Sequence, residues 1–97
     1  MNYVSDFIKG LDMKAYAKIR RRIDLLREYG YMLRLPYSGY VIPGVFEIRT
    51  VGKDNIRLIY TFKSDCAVIF HAFVKKTEEI SNHEMNIIKQ KFNDLHL

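Results

Sequence analysis

Much of what this sequence establishes comes from what it lacks. Its 97 residues include one cysteine, Cys66, so no internal disulfide can form and no cysteine-based zinc cluster can be built. That fits a reducing, cytoplasmic setting. No apolar run approaches the roughly 20 residues of a membrane helix. The N-terminus lacks the charged-then-apolar pattern of a signal peptide. Glycine-rich phosphate loops, metal-ligand motifs and nucleophile elbows are missing, so neither a metal ion nor a small-molecule cofactor is expected. There is no internal repeat and no low-complexity segment. Acidic side chains are scarce, 11 against 16 Lys and Arg, for a net charge of +5. A basic small chain suits an anionic partner such as nucleic acid, ribosome or acidic protein; general solubility is the bland alternative.

What is there fits one small folded domain over residues 1–97. Apolar residues make up 48% and charged residues 28%, which argues against disorder, although the core of so short a chain is marginal. Val4, Phe7, Ile8 and Leu11 lie at i, i+3, i+4, i+7, one apolar face of a short helix. Asp12 is an N-cap residue, and Ala15, Tyr16, Ile19, Ile23 and Leu26 form the stripe of a second helix over 13–29. Gly30 stands where a C-cap glycine belongs. Gly30, Pro36, Gly39 and Pro43 punctuate a loop or irregular edge segment over 30–43.

The period then changes to two. Phe46 and Ile48 face one way on a first strand, with Glu47 and Arg49 on the other. A turn over 52–55 leads to a second strand with Ile56, Leu58, Tyr60 and Phe62 inward and Arg57 outward. A turn over 63–65 leads to a third strand, 67–74, apolar on both faces apart from His71 and expected to be the most buried. Ser81 and Glu84 have capping-box spacing, and Met85, Ile88, Phe92 and Leu95 form the stripe of a last helix. The expected architecture is α+β: two N-terminal helices as a hairpin, a three-stranded antiparallel sheet, and a C-terminal helix. Helices cover one sheet face, and the other carries the charges.

Glu47, Arg49 and Arg57 fall on that charged face, and Lys75 and Lys76 arrive at the end of the third strand. Arginine grips phosphate by a bidentate fork and lysine acts as a point charge, and fixed cations stabilise a phosphoryl transition state. The alternative is an ordinary Glu–Arg cross-strand pair on a solvated face. His71 reads as a satisfied core histidine, and His96 as a frayed terminal one. His83, near the start of the last helix, is better placed for proton transfer, or is a plain first-turn surface residue. Lys18, Arg20, Arg21 and Arg22 form a basic run on the second helix, either solvated or set against RNA or an acidic partner.

Three ordered blocks carry a resemblance. Gly44-Val45-Phe46-Glu47-Ile48-Arg49 is similar to the GLFELR block of HigB-like toxins of the RelE/ParE superfamily, a group that includes phage-derived proteins. Arg57-Leu58-Ile59-Tyr60 resembles their R-I-x-Y block, and the run from His71 to Thr77 resembles their H-x-F-x-K-K-T block. The resemblance implies a RelE-like fold and a toxin of a type II toxin–antitoxin module. It further implies a ribosome-dependent mRNA endoribonuclease in which the RNA's own 2′-hydroxyl attacks, giving cyclic phosphate and 5′-hydroxyl ends without a cofactor. By position it puts Arg57, Arg49, Lys75 and Lys76 on catalytic and RNA-contacting positions, with Glu47 or His83 as acid or base. Lys18, Arg21 and Arg22 are added as RNA-contacting residues on the strength of the helix charge run.

The implied partners are a helix-turn-helix, HigA-like antitoxin, the ribosome and mRNA, and no membrane. Two departures stand out. Relatives begin with a strand before the first helix, so this sheet is expected to lack one strand. The proline-led entry to the last helix, and the RelE tyrosine near it, are replaced by Ile80-Ser81-Asn82-His83. Two other readings share the scaffold: a ParE-like gyrase poison, and a degenerate, non-catalytic toxin-like binding protein.

Overall fold

The computed structural model describes residues 3–50 and 55–95. The turn expected over 52–55 and the end at His96 therefore fall outside the described residues, except for Asn55. Helix α1 spans Tyr3–Lys9 and α2 spans Met13–Tyr29. The cap signals act as expected: Asp12 Oδ1 accepts from the Ala15 N–H at 2.9 Å, satisfying a first-turn donor. Gly30 takes a positive φ of 53° and its N–H returns to the Leu26 carbonyl. A 3₁₀ turn over Gly30–Met32 follows, and then strands β1 (Ser38–Ile42), β2 (Val45–Arg49), β3 (Ile56–Lys63) and β4 (Cys66–Val74), before helix α3 (Asn82–Leu95). No helix among the described residues is long and apolar enough to cross a membrane.

The fold is α+β with two N-terminal helices, an antiparallel sheet and a C-terminal helix. Three expectations need correction. The sheet has four strands rather than three, in the order β1-β2-β3-β4. The extra one, β1, comes from the 30–43 segment, where of a loop or an irregular edge segment the second forms. Its glycine and flanking prolines are tolerated because β1 is an edge strand with a register irregularity between Tyr40 and Ile42. Second, β3 rather than β4 is the most buried strand, with Ile56 to Thr61 all buried. Position decides this, not apolarity: β3 lies between two neighbours, while β4 is an edge whose Cys66 and Ala67 are exposed.

Third, both sheet faces are covered. One packs Ile48, Ile56, Leu58, Tyr60 and Ala72 against Val4, Ala15, Ile19 and Leu26 of α1 and α2. The other packs Val45, Ile59 and Phe73 against Ile88 of α3. This second core is smaller because polar side chains share its face. Each fully buried aliphatic side chain contributes about 1.5–3 kcal/mol, so both helix layers matter in so short a chain. A bulge in β4 near Phe70, where Ile59 pairs with His71 and Tyr60 with Ile69, lets His71 and Phe73 face α3.

Candidate anion site

The alternation of β2 and β3 puts Glu47, Arg49 and Arg57 on the α3-facing side, with Arg49 directly across from Arg57 and Glu47 across from Ile59. Two like charges directly opposed repel. Glu47 offsets this by reaching both guanidinium groups. Its Oε2 accepts from Arg49 Nε at 2.8 Å, and its Oε1 stands 3.3 Å from Arg57 Nε. The second contact is an ion pair without hydrogen-bond alignment: neither Glu47 Oε1 nor Arg57 Nε has a hydrogen-bond partner.

Arg57 is not outward, as the alternation suggested, but buried, at 8% exposure. It shares the face expected for it, but a central strand with cover on that face gives its side chain no route to bulk solvent. Burial lowers its pKa from the usual value, with the neighbouring Glu47 carboxylate opposing the shift; a guanidinium stays charged regardless. Arg57 Nη1 donates to Asn55 Oδ1 at 2.9 Å and to the Ile56 carbonyl at 3.2 Å.

Asn55, half-buried and with a positive φ of 47°, is the residue that sequence reasoning missed. Its Nδ2 donates to the Lys75 carbonyl at 2.8 Å, and its own carbonyl accepts from the Lys75 N–H at 3.0 Å. One side chain thus aims Arg57 and ties the start of β3 to the end of β4. The available signal was an asparagine at the end of a turn, a residue that tolerates left-handed backbone. Thr50 Oγ1 accepts from the Ile56 N–H at 2.9 Å, closing the base of the same connection.

Arg49 is the accessible member of the trio, its side chain 36% exposed. Its guanidinium lies across Gly39 of β1, where an added Cβ would stand 2.8 Å from Nη2. Arg22 of α2 reaches in from behind, donating from Nε to the Arg49 carbonyl at 3.2 Å, with its guanidinium carbon 4.8 Å above the Tyr37 ring. Arg21 and Arg22 line a surface groove with Arg27, Glu28 and Tyr37. Lys18 is half-buried one turn earlier on α2.

Of the remaining candidates, Lys75 joins the site by its backbone, while its Nζ donates to the Glu78 carbonyl. Lys76 is exposed and, with Lys75, Ser81 and Glu84, lines a separate hollow. His83 is exposed in the first turn of α3. Lys76 and His83 are therefore not drawn into the Glu47–Arg49–Arg57 trio. His71 is the satisfied core histidine expected: Nε2–H donates to Glu84 Oε1 at 2.8 Å, and Nδ1 accepts from Lys91 Nζ at 3.1 Å. This uses the Glu84 side chain, so only half of the capping box forms, the Glu84 N–H to Ser81 Oγ bond of 3.2 Å. Among the described residues no group of three or more His, Cys, Asp or Glu is placed to hold a metal ion.

Chemically, the trio presents two guanidinium groups against one carboxylate, an excess of positive charge. No curated protein matches the chain. The family described as Phage derived protein Gp49-like (DUF891) matches residues 6–93, almost the whole length and the complete anion site, and the chain belongs to this Gp49-like family of phage-derived proteins.

Proposed function

We propose that the protein is the toxin of a type II toxin–antitoxin module, HigB-like in kind, acting as a ribosome-dependent mRNA endoribonuclease. The observation that carries this is the directly opposed Arg49–Arg57 pair, two guanidinium groups offset by a single carboxylate. An RNA phosphate placed there supplies the missing negative charge. In the step itself, the 2′-oxygen forms a bond to phosphorus and the bond from phosphorus to the 5′-oxygen breaks. The 2′-hydroxyl proton is taken up and a proton is delivered to the departing 5′-oxygen. The products are a 2′,3′-cyclic phosphate and a 5′-hydroxyl, with no metal ion or cofactor in the step. Arg49, the accessible guanidinium, holds the charge that develops on the non-bridging oxygens, and Arg57, buried behind it, adds its positive field. Glu47, clamped between two arginines, orients them. His83, exposed on α3 outside the trio, carries the proton only if the bound RNA extends to it, and Lys76, in its separate hollow, contacts backbone flanking the trio. The partners of this reading are the ribosome, mRNA and a helix-turn-helix antitoxin with an acidic segment matching the basic surface.

A non-catalytic toxin-like binding protein is the second reading, favoured by the burial of Arg57. Primer extension on a defined mRNA, with and without translating ribosomes, separates the two. The expected result is new 5′ ends that require ribosomes and disappear with Arg49→Ala, in protein whose folding is checked by circular dichroism. Arg57→Lys, which keeps the charge but loses the fork, is expected to reduce cleavage at least tenfold. Folded protein that produces no ends in either condition overturns the nuclease reading.

A further inference from the structure

Six of the large hydrophobic side chains left exposed are clustered in one short segment: Tyr29, Tyr31, Met32, Leu35, Tyr37 and Tyr40. Such a concentration on a small chain marks a binding surface. Part of it forms a groove of about 490 Å³ beside β1, within the ~300–1,000 Å³ range of ligand sites. Aromatic rings make its walls. Tyr31 packs on Phe62 with ring centres 4.3 Å apart, Phe62 meets Tyr60 edge-on at 5.6 Å, and Phe46 lies 5.7 Å from Tyr60. Tyr40, 64% exposed, stands at the mouth. The lining has a polar pair, the hydroxyls of Ser38 and Tyr60, hydrogen-bonded to each other. Arg34 and Arg49 supply the cations. Arg49 belongs at once to this groove and to the anion site.

We infer that the groove is a base-stacking subsite for single-stranded RNA, seating the base of a nucleotide whose phosphate lies on Arg49. The inference rests on the RNA-directed reading of the anion site. Its chemistry is that of single-strand binders, aromatic faces for bases beside guanidinium groups for the backbone. The Ser38–Tyr60 hydrogen bond, buried beneath the groove, fixes its floor. Gly39 makes the arrangement possible, since its bare backbone lets the Arg49 guanidinium lie across β1 between the two sites.

The test measures fluorescence anisotropy of a labelled RNA hexanucleotide and of its abasic counterpart at one low salt concentration. The wild type is expected to bind the base-bearing strand at least tenfold more tightly. Tyr40→Ala and Tyr31→Ala, both at exposed positions, are expected to remove most of that preference and leave abasic binding unchanged, with Tyr40→Phe retaining it. Arg49→Ala is expected to weaken both strands. Equal binding of both strands by the wild type overturns the subsite and leaves the phosphate site standing. A Tyr40→Ala variant that binds like the wild type also overturns it, assigning the groove to a protein partner instead. Absence of binding to either strand by folded protein overturns the subsite, while the RNA-directed reading beneath it stands or falls on the ribosome-dependent primer extension.

Discussion

The α3-facing side of the sheet carries two buried polar clusters, and they are completed differently. Around His71 the ring nitrogens are both used, by the Glu84 carboxylate and the Lys91 ammonium. The ring is stacked on Tyr3 and Phe73, and Lys91 sits 4.3 Å from the Tyr3 ring centre. One cation and one anion balance around a neutral imidazole. Around Glu47 two guanidinium groups share one carboxylate, and two buried atoms face each other without a hydrogen bond. Burial of polar groups is common to both. Residual charge and an unfilled acceptor belong only to the second. A charge-balanced cluster fastens helices to a sheet; one with an excess guanidinium keeps a positive field that an anion can answer.

The sharpest way to break this contrast is Arg57→Ala. It leaves Glu47 buried with one partner, and loss of one member of a buried ion pair costs about 3–5 kcal/mol. Urea denaturation is expected to show a loss of that order, and this is why cleavage tests lean on Arg49 and on Arg57→Lys. A change near zero would place the Glu47–Arg57 contact outside the stabilising interactions.

His71→Gln is expected to cost less, about 1–3 kcal/mol, because Glu84 is partly exposed and can rehydrate. It also tests pH dependence. Burial, reinforced by Lys91, pushes the His71 imidazole below its usual value, while Glu84 opposes this. The native state therefore binds fewer protons than the unfolded chain. His71 leaves stability intact above its unfolded pKa of about 6.5, and stability is lost as pH falls from there toward the lowered folded value. The slope is at most about 1.4 kcal/mol per pH unit. His71→Gln is expected to flatten this part of the denaturation-midpoint profile between pH 7.5 and 5. An unchanged profile would show that the imidazole is not the titrating group.

The smallest effect is expected from Gly39→Ala. Arg49 can swing away from the added methyl group, so stability changes by no more than about 1 kcal/mol. Cleavage is nevertheless expected to fall as it does in Arg49→Ala, measured by primer extension. Full activity would remove Gly39 from the site.

The helices and their caps were legible in the sequence because Asp12, Gly30 and Ser81 act through neighbours three or four residues away. The shared face of Glu47, Arg49 and Arg57 was legible from alternation alone. The burial of Arg57 was not, since it depends on β3 being central and on α3 covering the far face, and neither is written in local periodicity. Strand β1 was left open between a loop and an irregular edge segment because glycine and proline signal both, and only pairing with β2 decides for the strand. Asn55 and Gly39 escaped notice for a related reason: each matters through a partner from another strand, Lys75 or Arg49.

The close fit of Gly39 under Arg49 also has an evolutionary reading. While the arginine lies across β1, a side chain at 39 is selected against. Once the arginine is replaced, position 39 is released, and the first larger residue to settle there bars the arginine from returning. Where selection on the site lapses, this pair acts as a ratchet, and a side chain at position 39 records that the site has been abandoned.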